Sequence, residues 1–395
     1  MTILENKQGL KVLITGSMLQ LFMGIIYVWS VFVIPVSEVY SWNIVHVKFT
    51  ASFMLSFFVV GILIGGKLQA KMSAPKIVLL GGLILSIGIF ATAFLPNNLA
   101  WLMYITYGVI GGFGVGAVYN TVISAAQKWF PQNRGFAAGV TICAFGLATV
   151  IFAPLIETLI KQFDLRTTFV ILAGIFLITI LALFRFIRMP DDSANSTVST
   201  QHTQKQYTMT EALHTKMFYY IAFSLMFATA TFFVLNPSFK TFAIARGLSE
   251  TIGTAIVMMV GVANALGRLG TPLLSDKIGR EKATLTIIFA TIVCAIILCF
   301  AEGYLLMATI AVIAYCYGGV AGIYPVITSD YFGVKNIGSN YGAVMVGFAL
   351  SALIFPMTIG LIENDTIKFV VLAAIASTAA VLVIMLTITK RKMNA

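Results

Sequence analysis

The stretch from Glu250 to Leu274, ETIGTAIVMMVGVANALGRLGTPLL, decides the fold class. After its first residue it holds a single charge, Arg268. A helix crosses a bilayer with about 20 apolar residues, so this segment is long enough. A guanidinium cannot be deprotonated at any useful pH. Its transfer into hydrocarbon costs from about 3 to over 10 kcal/mol, depending on how the cost is measured. A membrane helix keeps such a residue only where it faces protein, water or an anion. The expectation is an anion-binding site inside a bundle of membrane helices.

The rest of the chain fits that reading. Of its 395 residues, 59% are hydrophobic and only 10% are charged, where a soluble domain carries about 25% charged residues. The apolar runs last about 20 residues, whereas barrel strands alternate over about 10. The first residues, MTILENKQGLK, lack the apolar stretch and small-residue site of a removable signal peptide. Cys143, Cys294, Cys299 and Cys316 all fall in apolar segments and suggest no disulfide, metal or cofactor framework.

Twelve spans are expected, near 10–37, 46–68, 76–95, 98–126, 135–161, 166–187, 216–243, 250–274, 283–301, 303–329, 337–362 and 367–389. The one long polar stretch, 189–215, contains DDSANSTVSTQHTQKQ and has the composition of a flexible linker. It divides the chain into a six-helix bundle over 1–188 and another over 216–395. With both termini in the cytoplasm, 18 of the 25 Lys and Arg residues lie inside and 6 outside, with Arg268 left in the membrane. The positive-inside rule therefore fixes the orientation in a cell (inner or plasma) membrane and explains the net charge of +11 without a nucleic-acid partner.

The halves echo each other. GGKLQAKMSAPK (65–76) matches TPLLSDKIGREK (271–282), and QKWFPQNRGFAAG (127–139) matches SDYFGVKNIGSNYG (329–342). Two similar six-helix halves suit alternating access around a site at the bilayer midplane. At these residues the chain resembles the major facilitator superfamily, an all-α fold of twelve transmembrane helices in two pseudo-symmetric halves. In that family the loop carrying Ser275 to Lys282 helps latch the cytoplasmic face. The resemblance makes Asp276, Lys277 and Arg280 the latch, with Asp276 as its carboxylate. The first-half copy departs from the pattern, with Ala70 where Asp is usual and Ser73 where Gly is usual. A weaker or differently built latch is expected there.

A narrower resemblance is to the oxalate:formate antiporter family, which includes monocarboxylate transporters. It rests on G-I-I-Y-V-W-S-V-F (24–32) with Pro35, Tyr119 ahead of K-W-F-P-x-x-R-G (128–135), N-A-L-G-R (264–268), and D-Y-F-G-x-K-N-x-G-x-N-Y-G (330–342). It implies that Arg268 pairs with substrate carboxylate, and the planar fork of donors suits that role on physical grounds too. The alternative is snorkelling, since Arg268 lies about two helical turns from Asp276. Asn264, four residues earlier, shares the face of Arg268 and could donate to the substrate or bond another helix. Tyr27, Tyr119, Asn120 and Tyr324 are the other expected liners, each with packing as its alternative. Trp29 points to another face than Tyr27 and reads as packing.

Oxalate exchangers of this family are expected to carry a lysine in the eleventh span, where Phe348 stands at or near the position. No Lys or Arg occurs from Asn336 to Ile362. One arginine neutralises one carboxylate, and a second would stay buried and unpaired at a cost of roughly several kcal/mol. The expected function is secondary active transport of small monocarboxylates, of the lactate, pyruvate and formate class, coupled to protons. The alternative is proton-independent exchange of organic anions of the oxalate/formate type. No mid-membrane relay acid is evident. A proton rides with the substrate near Arg268, uses Glu302 or Asp330 at the rims, or takes no part. Asp330 also reads as structural, closing its loop with Lys335. Enzyme chemistry lacks its constellations here. The partners are then a small organic anion, a proton in the coupled case, and the bilayer, with a monomer as the default.

Overall fold

The computed structural model describes residues 6–190, 206–236, 239, 247, 249–359 and 362–394. The expected first span is broken. It forms α1 (Lys7–Met23), a 3-10 turn over Gly24–Tyr27, and α2 (Trp29–Tyr40). The break accompanies a close approach: a Cβ on Gly24 would collide with the Phe145 carbonyl of a neighbouring helix. Next come α3 (Ile44–Leu68) and α4 (Ala74–Ala93). The fourth span opens with irregular turns, including a π segment over Tyr104–Gly111, and continues as α5 (Gly112–Trp129). Then α6 (Arg134–Gln162) and α7 (Leu165–Leu183) complete the first six spans.

Most of the expected linker, residues 191–205, lies outside the described residues. Residues 206–215 are described. Thr208 and Glu211 form a reciprocal capping box that starts α8 (Met209–Leu213). The Tyr207 amide donates to the Phe332 carbonyl at 3.0 Å, and the Tyr207 carbonyl accepts from Asn336 and Asn340 at 2.9 and 3.1 Å. The second six spans are α9 (Lys216–Leu235), α10 (Glu250–Ile278), α11 (Arg280–Ile297), α12 (Gly303–Phe332), α13 (Ile337–Thr358) and α14 (Asp365–Asn394).

Ten of the described helical segments are long and apolar enough to cross a membrane. Of the other two expected spans, α10 contains Arg268 and α11 opens on Arg280, Glu281 and Lys282. Phe94, Ile178, Phe289 and Phe300 are at least 64% exposed, which suits lipid rather than water. Helix ends follow local chemistry. Asp164 caps α7 by accepting from the Thr167 amide at 2.6 Å. Gly279 and Gly333 end α10 and α12 with φ of 95° and 82°, the region where a side chain is strained.

Without a hydrophobic drive between helices in lipid, small residues let backbones pack closely. Helices α10 and α12 use this at the decisive place. A Cβ on Gly318 would collide with the Asn264 carbonyl, and one on Gly322 would lie 2.5 Å from the Arg268 carbonyl. Gly318→Ala therefore pushes α10 away at the turn that carries Asn264. Overpacking of this kind costs about 1–3 kcal/mol. The expected result is a drop of several degrees in Tm for the detergent-solubilised protein, measured by scanning fluorimetry, with α10 displaced.

The two halves meet along two main seams, α6 against α10 and α3 against α13. Both seams reach the face that carries the 69–73 and 131–133 loops, with Gly135 beside Asp276 on one and Gly66 against Gly338 on the other. That face holds most of the Lys and Arg residues, and is called the basic face below.

Candidate anion site at the junction of the halves

Arg268 is 1% exposed and sits where the seams converge. Its Nε donates to Oδ1 of Asn264 at 2.7 Å, which is the i−4 pairing that the helix period requires. One terminal nitrogen donates to the Tyr27 hydroxyl at 3.0 Å. That hydroxyl is 3.0 Å from the Tyr317 hydroxyl, so a chain of neutral groups leads away from the cation. The guanidinium carbon lies 5.3, 5.5 and 5.9 Å from the ring centres of Tyr27, Phe145 and Tyr317. Ring faces stabilise a desolvated cation by up to about 2 kcal/mol each. Among the described residues no carboxylate lies within ion-pair distance of Arg268. The positive charge is solvated by hydroxyl, amide and rings, and is not neutralised.

A small cavity touches this cation. It is lined by Tyr27, Phe58, Tyr119 and Phe145 from the first half, and by Leu225, Arg268, Ala321, Tyr324, Tyr341, Met345 and Phe348 from the second. Its interior volume of about 10 Å³ admits roughly one water. A carboxylate with a carbon chain needs more, so the halves or the rings must part to receive it. Aromatic edges close the space: Phe58 and Phe145 stand 5.0 and 4.8 Å from Tyr119, and Phe348 is 4.9 Å from Phe233. The 3-10 turn positions Tyr27, because it turns the chain just where α1 meets α6.

Five of the seven expected liners, Arg268, Tyr27, Tyr119, Tyr324 and Phe348, border this cavity. Asn264 does not border it and holds Arg268 instead. Asn120 is also elsewhere. Its amide donates to the carbonyls of Ile62 and Gly338, each at 2.8 Å. Tyr324 donates to Ser224 at 2.9 Å. Trp29 packs, with its indole N–H on the Val47 carbonyl at 2.9 Å. Tyr317 and Tyr341 escaped the sequence reading, yet the helix period pointed to both. Each lies seven residues before a recognised liner, Tyr324 and Phe348, and so shares its face. Phe58 and Phe145 carried no such signal.

The latch candidates lie on the basic face. Asp276 pairs with Arg280, which also donates to Asp330 at 2.8 Å. Asp330 accepts from Arg134 of the first half at 3.4 Å. Its partners thus include two arginines, one from each half. A Cβ on Gly135 would lie 2.6 Å from the Asp276 carboxylate, which places that acid at the start of α6, where a helix favours negative charge. The carboxylates of Asp330 and Asp276 together stabilise the half-buried Arg280 charge. Lys277 is exposed. Glu302 is exposed at the start of α12, at the opposite end from the latch.

The family model of the Major Facilitator Superfamily matches residues 13–356. The chain belongs to the major facilitator superfamily. As a member it is a multi-pass membrane transporter and not an enzyme. It is 28% identical over 341 residues to an uncharacterised MFS-type transporter, YhjX, of Escherichia coli (strain K12), covering 85% of this chain and 83% of that one. It is 26% identical to the oxalate:formate antiporter of Oxalobacter formigenes, over 81% of this chain and 76% of the relative. It is 24% identical to monocarboxylate transporter 12 of Xenopus laevis, over 77% and 71% of the two chains. The proton:xylose symporter XylE, at 14% identity, superposes with a TM-score of 0.74 over 95% of both chains, a likeness of fold alone.

Proposed function

We propose that this chain moves small monocarboxylates across a membrane by alternating access, with Arg268 pairing with the substrate carboxylate. One observation carries the reading: a buried guanidinium, at the junction of the halves, faces a cavity and has no described carboxylate to neutralise it. A single cation among Phe58, Phe145, Met345 and Phe348 suits one carboxylate on a short carbon chain. A dicarboxylate would leave its second charge against apolar walls. The relatives in the oxalate:formate and monocarboxylate groups support an organic anion as the cargo class.

In this reading the six-helix halves, 1–188 and 216–395, rock about the site, with 189–215 as the connection. The basic face is the cytoplasmic one, which places both termini inside. Tyr27 occupies one arm of the arginine fork in the closed state and yields it to the carboxylate. Asp276 and Arg280, with Asp330 and Arg134, act as the ionic latch, and the exposed Lys277 stands beside it. In the proton-coupled form, the proton travels with the bound acid beside Arg268, or through Glu302 or Asp330. Proton-independent exchange is the second reading, and a specific observation favours it: among the described residues no carboxylate or histidine lines the cavity.

The test is uptake of labelled lactate, formate and oxalate into proteoliposomes under an inward proton gradient. Accumulation of a monocarboxylate that an ionophore abolishes establishes symport. Accumulation that ignores the gradient and needs an internal anion establishes exchange. Oxalate uptake as fast as that of lactate would overturn the monocarboxylate reading.

A further inference from the structure

The two seams of the basic face are closed by different chemistry. The α6–α10 seam is ionic, with Asp276, Arg280, Asp330 and Arg134. Among the described residues no ion pair crosses the α3–α13 seam, as Ala70 in place of the usual Asp anticipates. Here backbone meets backbone: a Cβ on Gly66 would collide with the Gly338 carbonyl. Ser339 donates to the Gly66 carbonyl at 3.1 Å. At the centre is Asn120, 1% exposed. Its two amide hydrogens go to Ile62 of α3 and Gly338 of α13, one carbonyl from each half.

Asn120 follows Tyr119 directly. Consecutive residues on a helix project about 100° apart, so α5 presents Tyr119 to the cavity and Asn120 to the seam. The ring of Tyr119 is itself crowded, with Phe58 and Phe145 against it.

We propose that Asn120 is the gating residue of the basic face: its carboxamide holds the α3–α13 seam shut, one residue along α5 from the cavity liner Tyr119. It is a positioning residue that does not touch the transported anion. The proposal rests on the alternating-access reading, but not on the identity of the cargo.

The test is hydrogen–deuterium exchange of the full chain in nanodiscs, without substrate. Asn120→Ala removes both donors. Asn120→Asp keeps the shape but sets an acceptor against two carbonyl oxygens. Ser339→Ala is the milder variant should either fail to fold. The expected result is faster exchange over 62–72 and 334–342, by about tenfold for Asn120→Ala and more for Asn120→Asp. Exchange over 95–104, at the other face, stays unchanged. Unchanged exchange at the seam, or equal acceleration at both faces, would overturn the proposal. Loss of lactate binding in Asn120→Asp with an unchanged seam would make Asn120 a substrate ligand instead. Because the exchange assay contains no substrate, a wrong cargo assignment cannot produce its failure.

Discussion

Arg268→Ala is expected to lower carboxylate binding and uptake by about 100-fold or more. Removing one partner of a buried, hydrogen-bonded charge pair costs about 3–5 kcal/mol, and each 1.4 kcal/mol is tenfold. The loss arises because the cavity offers no other cation: its remaining liners are tyrosines and apolar side chains. Arg268→Lys should recover little of it. An ammonium is a compact point charge and cannot reproduce the planar fork, one arm of which is fixed by Asn264 at 2.7 Å. Calorimetry with lactate, alongside uptake, checks both variants. Retained binding in Arg268→Ala would place the carboxylate elsewhere.

Phe348→Lys is expected to reverse the charge preference of the site. Phe348 is 3% exposed, borders the cavity, and stacks edge-on with Phe233. A lysine there adds a second cation within the same enclosure. A dicarboxylate then meets a partner at each end. A monocarboxylate leaves one ammonium buried and unpaired, at a cost of roughly several kcal/mol. The ratio of oxalate to lactate uptake should rise by about 100-fold, measured in parallel vesicles. An unchanged ratio would remove the case for Phe348 as the residue that restricts cargo to one charge.

These two residues were legible in the sequence for different reasons. Arg268 stood out because a guanidinium in an apolar run has few tenable explanations. Phe348 stood out only by its relation to the N-Y-G motif. Ten of the spans were legible because length and apolarity alone define them. The break in the first span was not, since nothing local forces it: Gly24 yields to a helix over 120 residues away in the sequence. The role of Asn120 was hidden for the same reason. A polar residue beside Tyr119 in a membrane helix reads as a cavity liner until Gly338, 218 residues on, is placed against it. The partners of Asp330 show the limit again. A nearby lysine, Lys335, was the local expectation, whereas the fold brings Arg134 and Arg280 to that carboxylate. Periodicity assigns faces, but contacts between distant helices appear only after packing.

The hydroxyl that Tyr27 lends to Arg268 bears on how fast the carrier cycles. In the proposed cycle each departing anion would be replaced by the tethered Tyr27 hydroxyl, so the vacated cation would keep a neutral partner. The unloaded form is thereby spared a deep energetic trough or peak, and cargo must outcompete Tyr27 to bind at all. Weak affinity and rapid turnover are the expected pair, with half-saturation set high and release seldom the slow step. Such kinetics would suit a molecule that handles an abundant metabolite in bulk rather than one that scavenges traces.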